Sequence, residues 1–119
     1  MSSLFNKVWV IFFIVLILSP NINASERQWL VGVWELHFDP DGDTKDWLEF
    51  TSDGKVYSLD SKHKRKVPGK YEMTRNEIDI TFYWKGRAIP VLLTYETGRD
   101  ALYAFSKKTG STSMYMKVN

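Results

Sequence analysis

The chain has 119 residues, no cysteine, and a formal net charge of +2 from 16 basic and 14 acidic residues. This length has room for one domain, and the missing cysteine excludes disulfides, CxxC redox pairs, cysteine-ligated metal centres and a lipoprotein attachment site. The charge is too balanced to indicate bulk nucleic-acid binding, so no nucleic-acid partner is expected.

The chain opens with a short apolar run, Val8–Leu18, and Pro20 stops its helix from extending. At 1.5 Å per residue this run spans roughly 16 Å, about half of the hydrocarbon core of a membrane. The run and the small residue Ala24 form the pattern of a secretory signal peptide. An uncleaved N-terminal anchor is the alternative to cleavage.

Cleavage after Ala24 would remove residues 1–24 and leave residues 25–119 as one domain. We then expect a periplasmic or secreted protein with no transmembrane segment. Aromatic residues make up 15% of the chain. A domain this small, without disulfides, must fill its core with large side chains, and aromatic rings bury the most area each.

Glycines recur at intervals of 10 to 17 residues and period-two alternation lies between them, which is typical of short strands joined by turns. Eight strands are predicted: Leu30–Phe38, Trp47–Thr51, Lys55–Leu59, Val67–Met73, Glu77–Trp84, Arg87–Tyr95, Ala101–Lys107 and Thr112–Val118. The only helical signal is a capping box at Ser25–Gln28, enough for one turn. The fold class is therefore all-β, an eight-stranded antiparallel meander closed as a small barrel, with an open two-sheet β-sandwich as the alternative.

Alternation also assigns aromatic side chains to faces. The candidate ligand-binding residues are those predicted to point inward: Trp34, Phe38, Phe50, Tyr57, Tyr71, Phe82 and Trp84. They could line an apolar pocket, or they could simply fill the core. The aromatic residues predicted to point outward, where they could form a contact surface, are Trp47, Tyr83, Tyr103 and Tyr115.

Several short motifs occur in a characteristic order. A G-x-W at Gly32–Trp34 follows the short segment Glu26–Val31. An L-x-F-x-x-D-G-x-V hairpin at Leu48–Val56 comes next, and then G-x-Y at Gly69–Tyr71 and I-x-I at Ile78–Ile80. Together they resemble the pattern of small bacterial secreted lipocalin-like domains of the calycin type.

The resemblance implies a β-barrel in which Trp34 plugs one end and the other end admits a small apolar ligand. This chain is shorter than the larger lipocalins and lacks their C-terminal helix. Because the family also includes members used for protein contact, the fold alone does not assign a function.

Two loops concentrate charge. The loop Asp39–Asp46 has the D-x-D-x-D spacing of calcium loops, but Thr44 and Phe50 occupy the positions where an EF-hand needs Gly and Glu. We expect a solvated turn, with an irregular calcium site as the alternative, and assign no metal. The candidate partner-binding residues are the basic run Lys62, His63, Lys64, Arg65 and Lys66. Both loops are expected at the same end of the barrel.

The catalytic inventory is poor. His37 is predicted beside Glu35 on an outward face, and neither G-x-S-x-G nor H-E-x-x-H occurs. Glu77 and Asp79 share a strand face, as exposed acids commonly do. We predict no enzyme activity, no catalytic residue and no cofactor. Two hypotheses remain: an exported barrel that holds an apolar small molecule or lipid, and an envelope protein–protein module such as a hydrolase inhibitor or immunity protein.

Overall fold

The computed structural model describes residues 27–42 and 45–118, and these residues form strands and turns without a helix. The eight strands are β1 Gly32–Phe38, β2 Trp47–Phe50, β3 Lys55–Leu59, β4 Arg65–Met73, β5 Glu77–Trp84, β6 Arg87–Tyr95, β7 Ala101–Phe105 and β8 Thr112–Val118. β1 and β2 are shorter than predicted, β4 starts two residues earlier and β7 ends two residues earlier. The expected signal peptide, residues 1–24, lies outside the described residues.

The sheet closes on itself. Each strand pairs antiparallel with the next, and β1 pairs with β8 through Val33↔Val118 and Leu36↔Tyr115. Closure gives each of the eight strands a paired neighbour on both sides, so that free sheet edge remains only where a strand extends beyond its neighbours. The predicted eight-stranded meander barrel is confirmed, and the sandwich alternative is wrong.

The connections divide between two ends of the barrel. The turn Arg27–Leu30 and the β2–β3, β4–β5 and β6–β7 connections lie at one end, called the closed end. The β1–β2, β3–β4, β5–β6 and β7–β8 loops lie at the other, called the open end. The acidic β1–β2 loop and the basic β3–β4 loop therefore share the open end, as the sequence predicted.

A tryptophan plugs the closed end. Trp34 is fully buried, and its indole Nε1 donates a 2.9 Å hydrogen bond to the Leu30 carbonyl. The Trp29 ring packs edge-on against Trp34 at 6.1 Å between centroids. The Lys117 ammonium donates to the Trp29 carbonyl at 2.7 Å. The turn at Arg27–Leu30, where one helical turn was predicted, therefore covers the barrel as a lid bonded to β1 and β8.

The core fills the barrel from this plug to its middle. Its most deeply buried side chains are Leu30, Trp34, Phe50, Val56, Ile78, Ile80, Leu93 and Leu102. Along the inward face of β5 the exposed fraction rises from 0% at Ile78 to 9% at Phe82 and 40% at Trp84. Packing therefore weakens toward the open end, which leaves room for a cavity there.

Two of the predicted faces are reversed. On β3, Val56 pairs with the buried Phe50 and Tyr57 pairs with Glu49, in a β2–β3 register that has no shift. Tyr57 therefore lies on the outer wall, with the Arg65 guanidinium 3.9 Å from its ring centroid. On β1 a register shift between Leu36 and Phe38 turns Phe38 out of the barrel. The prediction that Tyr57 and Phe38 point inward is wrong, on β3 because the alternation was assigned to the opposite face and on β1 because of the shift.

Tyr115 is also placed opposite to its predicted face. It lies inside, opposite Leu36 of β1, and its hydroxyl donates to the Asp46 carboxylate at 3.0 Å. Burial raises the pKa of Tyr115, and the neighbouring Asp46 charge raises it further. Burial also raises the pKa of Asp46, although the bond from Tyr115 opposes this effect. The pair ties the end of the β1–β2 loop to β8.

This raised pKa predicts a loss of stability in alkali. The folded state retains the Tyr115 proton at a pH where the unfolded chain, with a tyrosine pKa of about 10, releases it. The contribution is fully present below pH ~10 and is lost as the pH rises further. Urea unfolding between pH 10 and 12 gives the free energy of unfolding as a function of pH. In Tyr115→Phe this free energy should fall less steeply than in wild type, by about 1.4 kcal/mol per pH unit. In Asp46→Asn, which removes only the charge, the slope should lie between those of wild type and Tyr115→Phe. Equal slopes in wild type and Tyr115→Phe would contradict this assignment.

Candidate functional site

The open end contains an apolar cavity of about 340 Å³. It is lined by Ser58, Lys66, Val67, Phe82, Trp84 and Ile89. The side chains come from four consecutive strands, β3 to β6, so the cavity lies inside the mouth of the barrel. Its volume is at the lower end of the range for small-molecule sites, about 300–1,000 Å³.

The cavity exists because β4 and β5 separate toward the open end. Their pairing runs from Met73↔Ile78 to Gly69↔Phe82, whereas β5 continues to Trp84. Pro68 precedes the last paired residue and has no N–H to donate across to β5. The two strands therefore diverge above Gly69, and the Phe82 ring becomes the floor of the opening.

Gly69 makes room for that floor. A Cβ built on Gly69 would lie 3.0 Å from the Phe82 ring and 2.6 Å from the Thr81 carbonyl oxygen. Only a residue without a side chain lets β4 approach β5 this closely at the cavity.

The predicted ligand-binding residues separate into three groups. Trp34, Phe50 and Tyr71 are buried in the core, where Phe50 and Tyr71 meet edge-on at 5.1 Å. Phe82 and Trp84 line the cavity. Phe38, 55% exposed, and Tyr57, on the outer wall, do neither. The structure therefore brings two of the seven together at the opening.

Four lining residues were not assigned to a pocket from the sequence. Ile89 follows the inward alternation of β6 and pairs with Phe82, so the strand pattern contained its signal. Val67 and Ser58 pair across β3 and β4, but the reversed phase of β3 concealed them. Lys66 was assigned only to the basic run.

The basic run does not act as one patch. Arg65 bonds Glu49 at 2.9 Å on the outer wall, and the His63 ring packs against Trp47 at 5.0 Å between centroids. Lys66 is the extra residue at the register shift and lines the cavity.

Lys62 and Lys64 remain in the turn, where both backbone N–H groups donate to Asp60 at 2.9 Å. The Lys64 amide, followed by the Lys62 amide, lowers the pKa of the Asp60 carboxyl. The turn is thus organised around an ionised acid.

The acids of the β1–β2 loop bond to the other side of the open end. Asp41 accepts from the Thr109 hydroxyl at 2.9 Å, and Asp39 accepts from Ser113 at 3.2 Å. Asp43 and Thr44 lie outside the described residues. Within residues 27–42 and 45–118, no three acidic or histidine side chains come close enough to hold a metal ion.

Cations surround the cavity on its open side. Lys66 is part of the lining, and the Lys85 ammonium lies 5.4 Å from the centroid of the Trp84 ring. Arg87 is the cross-strand partner of Trp84. An apolar opening with a cationic rim suits an apolar or amphipathic ligand whose polar group is neutral or anionic.

A second depression of about 430 Å³ lies where β6 and β7 diverge. It is formed largely by outer-wall residues such as Asp79, Leu92 and Phe105. Its lining includes the charged side chains of Asp79 and Lys107 and is less apolar than that of the mouth cavity. The mouth cavity is therefore the better candidate site.

No helix in the described part of the chain is long and apolar enough to cross a membrane. Comparisons with protein-family models, curated proteins and solved structures found no match to this chain.

Proposed function

We propose that this protein is a small exported barrel of the lipocalin-like, calycin type from a bacterial envelope, and that it holds an apolar small molecule or a lipid. The observation that carries the proposal is the apolar cavity at the open end of a barrel whose other end is plugged by Trp34. In the described part of the chain this arrangement makes the open end the entrance, so a ligand enters and leaves through the cationic rim.

The packing below the cavity sets the size of the ligand. Ile80 and Ile78 fill the barrel beneath Phe82, so a ligand cannot pass deeply into it. It rests on the Phe82 ring and contacts Val67, Trp84 and Ile89. Burial of apolar surface contributes about 25 cal/mol per Å², so a small ligand of this kind gains micromolar rather than nanomolar affinity.

Filling the cavity should abolish binding. Ser58 lines it with a small side chain, and Ser58→Phe would place an aromatic ring in the space a ligand needs. We expect the affinity for the fluorescent apolar anion 1-anilino-8-naphthalenesulfonate to fall about tenfold or more, a loss of about 1.4 kcal/mol at least. Titration followed by probe fluorescence measures this.

Ser58→Ala is the matched control, because it removes a hydroxyl and keeps the space open. It should bind the probe at least as tightly as wild type. Urea unfolding of both variants checks that the barrel is intact. Equal probe affinity in wild type and a folded Ser58→Phe variant would show that the probe binds outside the cavity and would contradict the proposal. Native mass spectrometry of the exported protein tests for a retained lipid.

A protein–protein module is the second candidate, favoured by the division of charge at the open end. Asp41 lies on the β7–β8 side, whereas Lys62 and Lys64 lie on the β3–β4 side. A rim with acids on one side and cations on the other suits a protein partner of complementary charge. One stoichiometric protein recovered from envelope extract, and lost in the variant Lys62→Glu/Lys64→Glu, would favour this function over the binding of an apolar ligand.

A further inference from the structure

The β5–β6 hairpin projects beyond its neighbours at the open end. In the described chain β4 pairs with β5 only as far as Phe82, and β7 pairs with β6 only from Leu93 onward. The segment Tyr83–Ile89, called the hairpin tip, therefore has no strand on either side. Lys85 and Gly86 form its two-residue turn with φ values of 50° and 76°, as type I′ hairpins require.

The hairpin tip exposes large apolar side chains on both of its faces. Tyr83 on the outer face is 45% exposed, and Ile89 on the inner face is 40% exposed. Trp84 beside them is exposed to a similar degree. Folded proteins rarely leave such residues clustered at a protruding point unless it makes a contact.

The charge of the hairpin tip has one sign. Lys85 and Arg87 are its only ionisable side chains besides Tyr83, and no acid occurs between Thr81 and Thr94. Lys66 adds a cation in the adjoining cavity wall. Trp and Tyr rings beside Lys and Arg form the combination found at membrane–water interfaces, where rings lie at headgroup level and cations meet anionic lipid.

The backbone argues against a second protein strand as the occupant. Trp84 and Arg87 flank the two-residue turn and form a hydrogen-bonded pair. Hydrogen-bonded and non-hydrogen-bonded pairs alternate along a hairpin, so the backbone nitrogen of Pro90 faces away from β5. Proline has no N–H there, which interrupts the free edge that another strand would need. Pairing with a second copy of this hairpin would also place Lys85 and Arg87 of one copy close to the same cations of the other, and like charges repel.

We propose that the hairpin tip docks this protein on the surface of an anionic lipid bilayer. Tyr83, Trp84 and Ile89 enter the headgroup region, and Lys85 and Arg87 pair with lipid phosphates. Docking in this orientation presents the open end of the barrel to the membrane. The inference does not depend on the cavity holding a ligand.

Vesicle co-sedimentation tests the proposal. All eight strands and the described core lie between Arg27 and Val118, so the chain from Ser25 onward contains the whole barrel. We expect it to sediment with equimolar phosphatidylglycerol–phosphatidylcholine vesicles and much less with phosphatidylcholine alone. The double variant Lys85→Gln/Arg87→Gln should bind the anionic vesicles about 25-fold more weakly, since each cation contributes about fivefold.

A matched control removes the same charge at the other end of the barrel. Lys70→Gln/Arg75→Gln lies on the closed-end half and should bind vesicles as wild type does. Tyr83→Ser should weaken binding without changing its salt dependence. Equal binding by the two double variants, equal binding to neutral and anionic vesicles, or sedimentation without vesicles through self-association would each overturn the proposal.

The cavity-filling variant separates this inference from the proposed function. Ser58→Phe should lose the fluorescent probe and still bind anionic vesicles. The Lys85→Gln/Arg87→Gln variant should lose the vesicles and retain most of its affinity for a neutral apolar probe, N-phenyl-1-naphthylamine. Ligand binding and membrane docking can thus be contradicted independently, because a different variant tests each of them.

Discussion

Replacing Trp34 by alanine should reduce the stability of the barrel to about 0–2 kcal/mol, so that up to half of the protein is unfolded in dilute buffer at room temperature. Its side chain is fully buried at the closed end, and its indole N–H satisfies the Leu30 carbonyl. Truncation of a buried tryptophan costs about 3–5 kcal/mol. Small domains have total stabilities near the lower end of about 5–15 kcal/mol, so this loss consumes most of what holds the barrel together.

Trp84 provides a control of the same residue type at the opposite end of the barrel. It is 40% exposed, and the packing around it is loose. Trp84→Ala should cost about 1–2 kcal/mol, less than Trp34→Ala, because part of the Trp84 ring is already in solvent. Urea titrations followed by far-UV circular dichroism compare the two variants. Similar midpoints for both would show that the plug does not stabilise the barrel as we infer.

Gly69→Ala should destabilise the barrel by about 1–3 kcal/mol, an unusually large effect for adding one methyl group. The new Cβ would lie 2.6 Å from the Thr81 carbonyl oxygen, which is backbone and cannot turn aside. Relief requires β4 and β5 to move apart, which breaks the pairing Gly69↔Phe82. Because Phe82 is the floor of the cavity, the affinity for 1-anilino-8-naphthalenesulfonate should change as well.

Gly98→Ala is the comparison that isolates this clash. A Cβ at Gly98 would meet only the Asp100 carboxylate at 3.3 Å, in an exposed loop where that side chain can move. Its effect on the free energy of unfolding should stay within about 0.5 kcal/mol. A Gly69→Ala variant as stable as Gly98→Ala would mean that the two strands tolerate more separation than their pairing indicates.

Local pattern was sufficient to predict the strands but not the way in which the sheet closes. Glycine spacing and alternation predicted all eight strands, and β3, β5, β6 and β8 have the predicted bounds. The closure of β1 against β8 was preferred over a sandwich only because it hides edges. Alternation within a strand contains no information about its distant partner, so the choice between barrel and sandwich required the three-dimensional pairing.

The side-chain faces were wrong on two strands. On β1, period two was extended from Leu36 to Phe38, although the pairing with β8 shifts between them. On β3, Tyr57 and Leu59 were assigned to the inward face, whereas Val56 pairs with the buried Phe50 and Tyr57 lies outside. A β-bulge depends on how two strands fit together, and neither strand shows it alone.

On β8 the error had another cause. Met114, Met116 and Val118 share one face by alternation, and Tyr115 was predicted on the outward face. The structure buries Tyr115 because its hydroxyl finds Asp46, a partner distant in sequence. Met116 lies mostly in solvent.

The candidate site was predicted only in part for the same reasons. Phe82 and Trp84 follow regular alternation on β5 and were found. Ser58 and Lys66 sit beside the register shift between β3 and β4, where a small residue and a lysine reach the cavity. Neither residue type signals an apolar site by itself.

The seam between β1 and β8 also constrains when the barrel can form. Its two strands come from opposite ends of the described chain, so a ribosome must release β8 before the ring can close. Until then β1 pairs only with β2, and Lys117 of β8 is not yet opposite Trp34. Contacts of such long sequence separation form slowly. A polypeptide that stays open until β8 has been made is suited to threading through a translocation pore, which is the route that the proposed export requires.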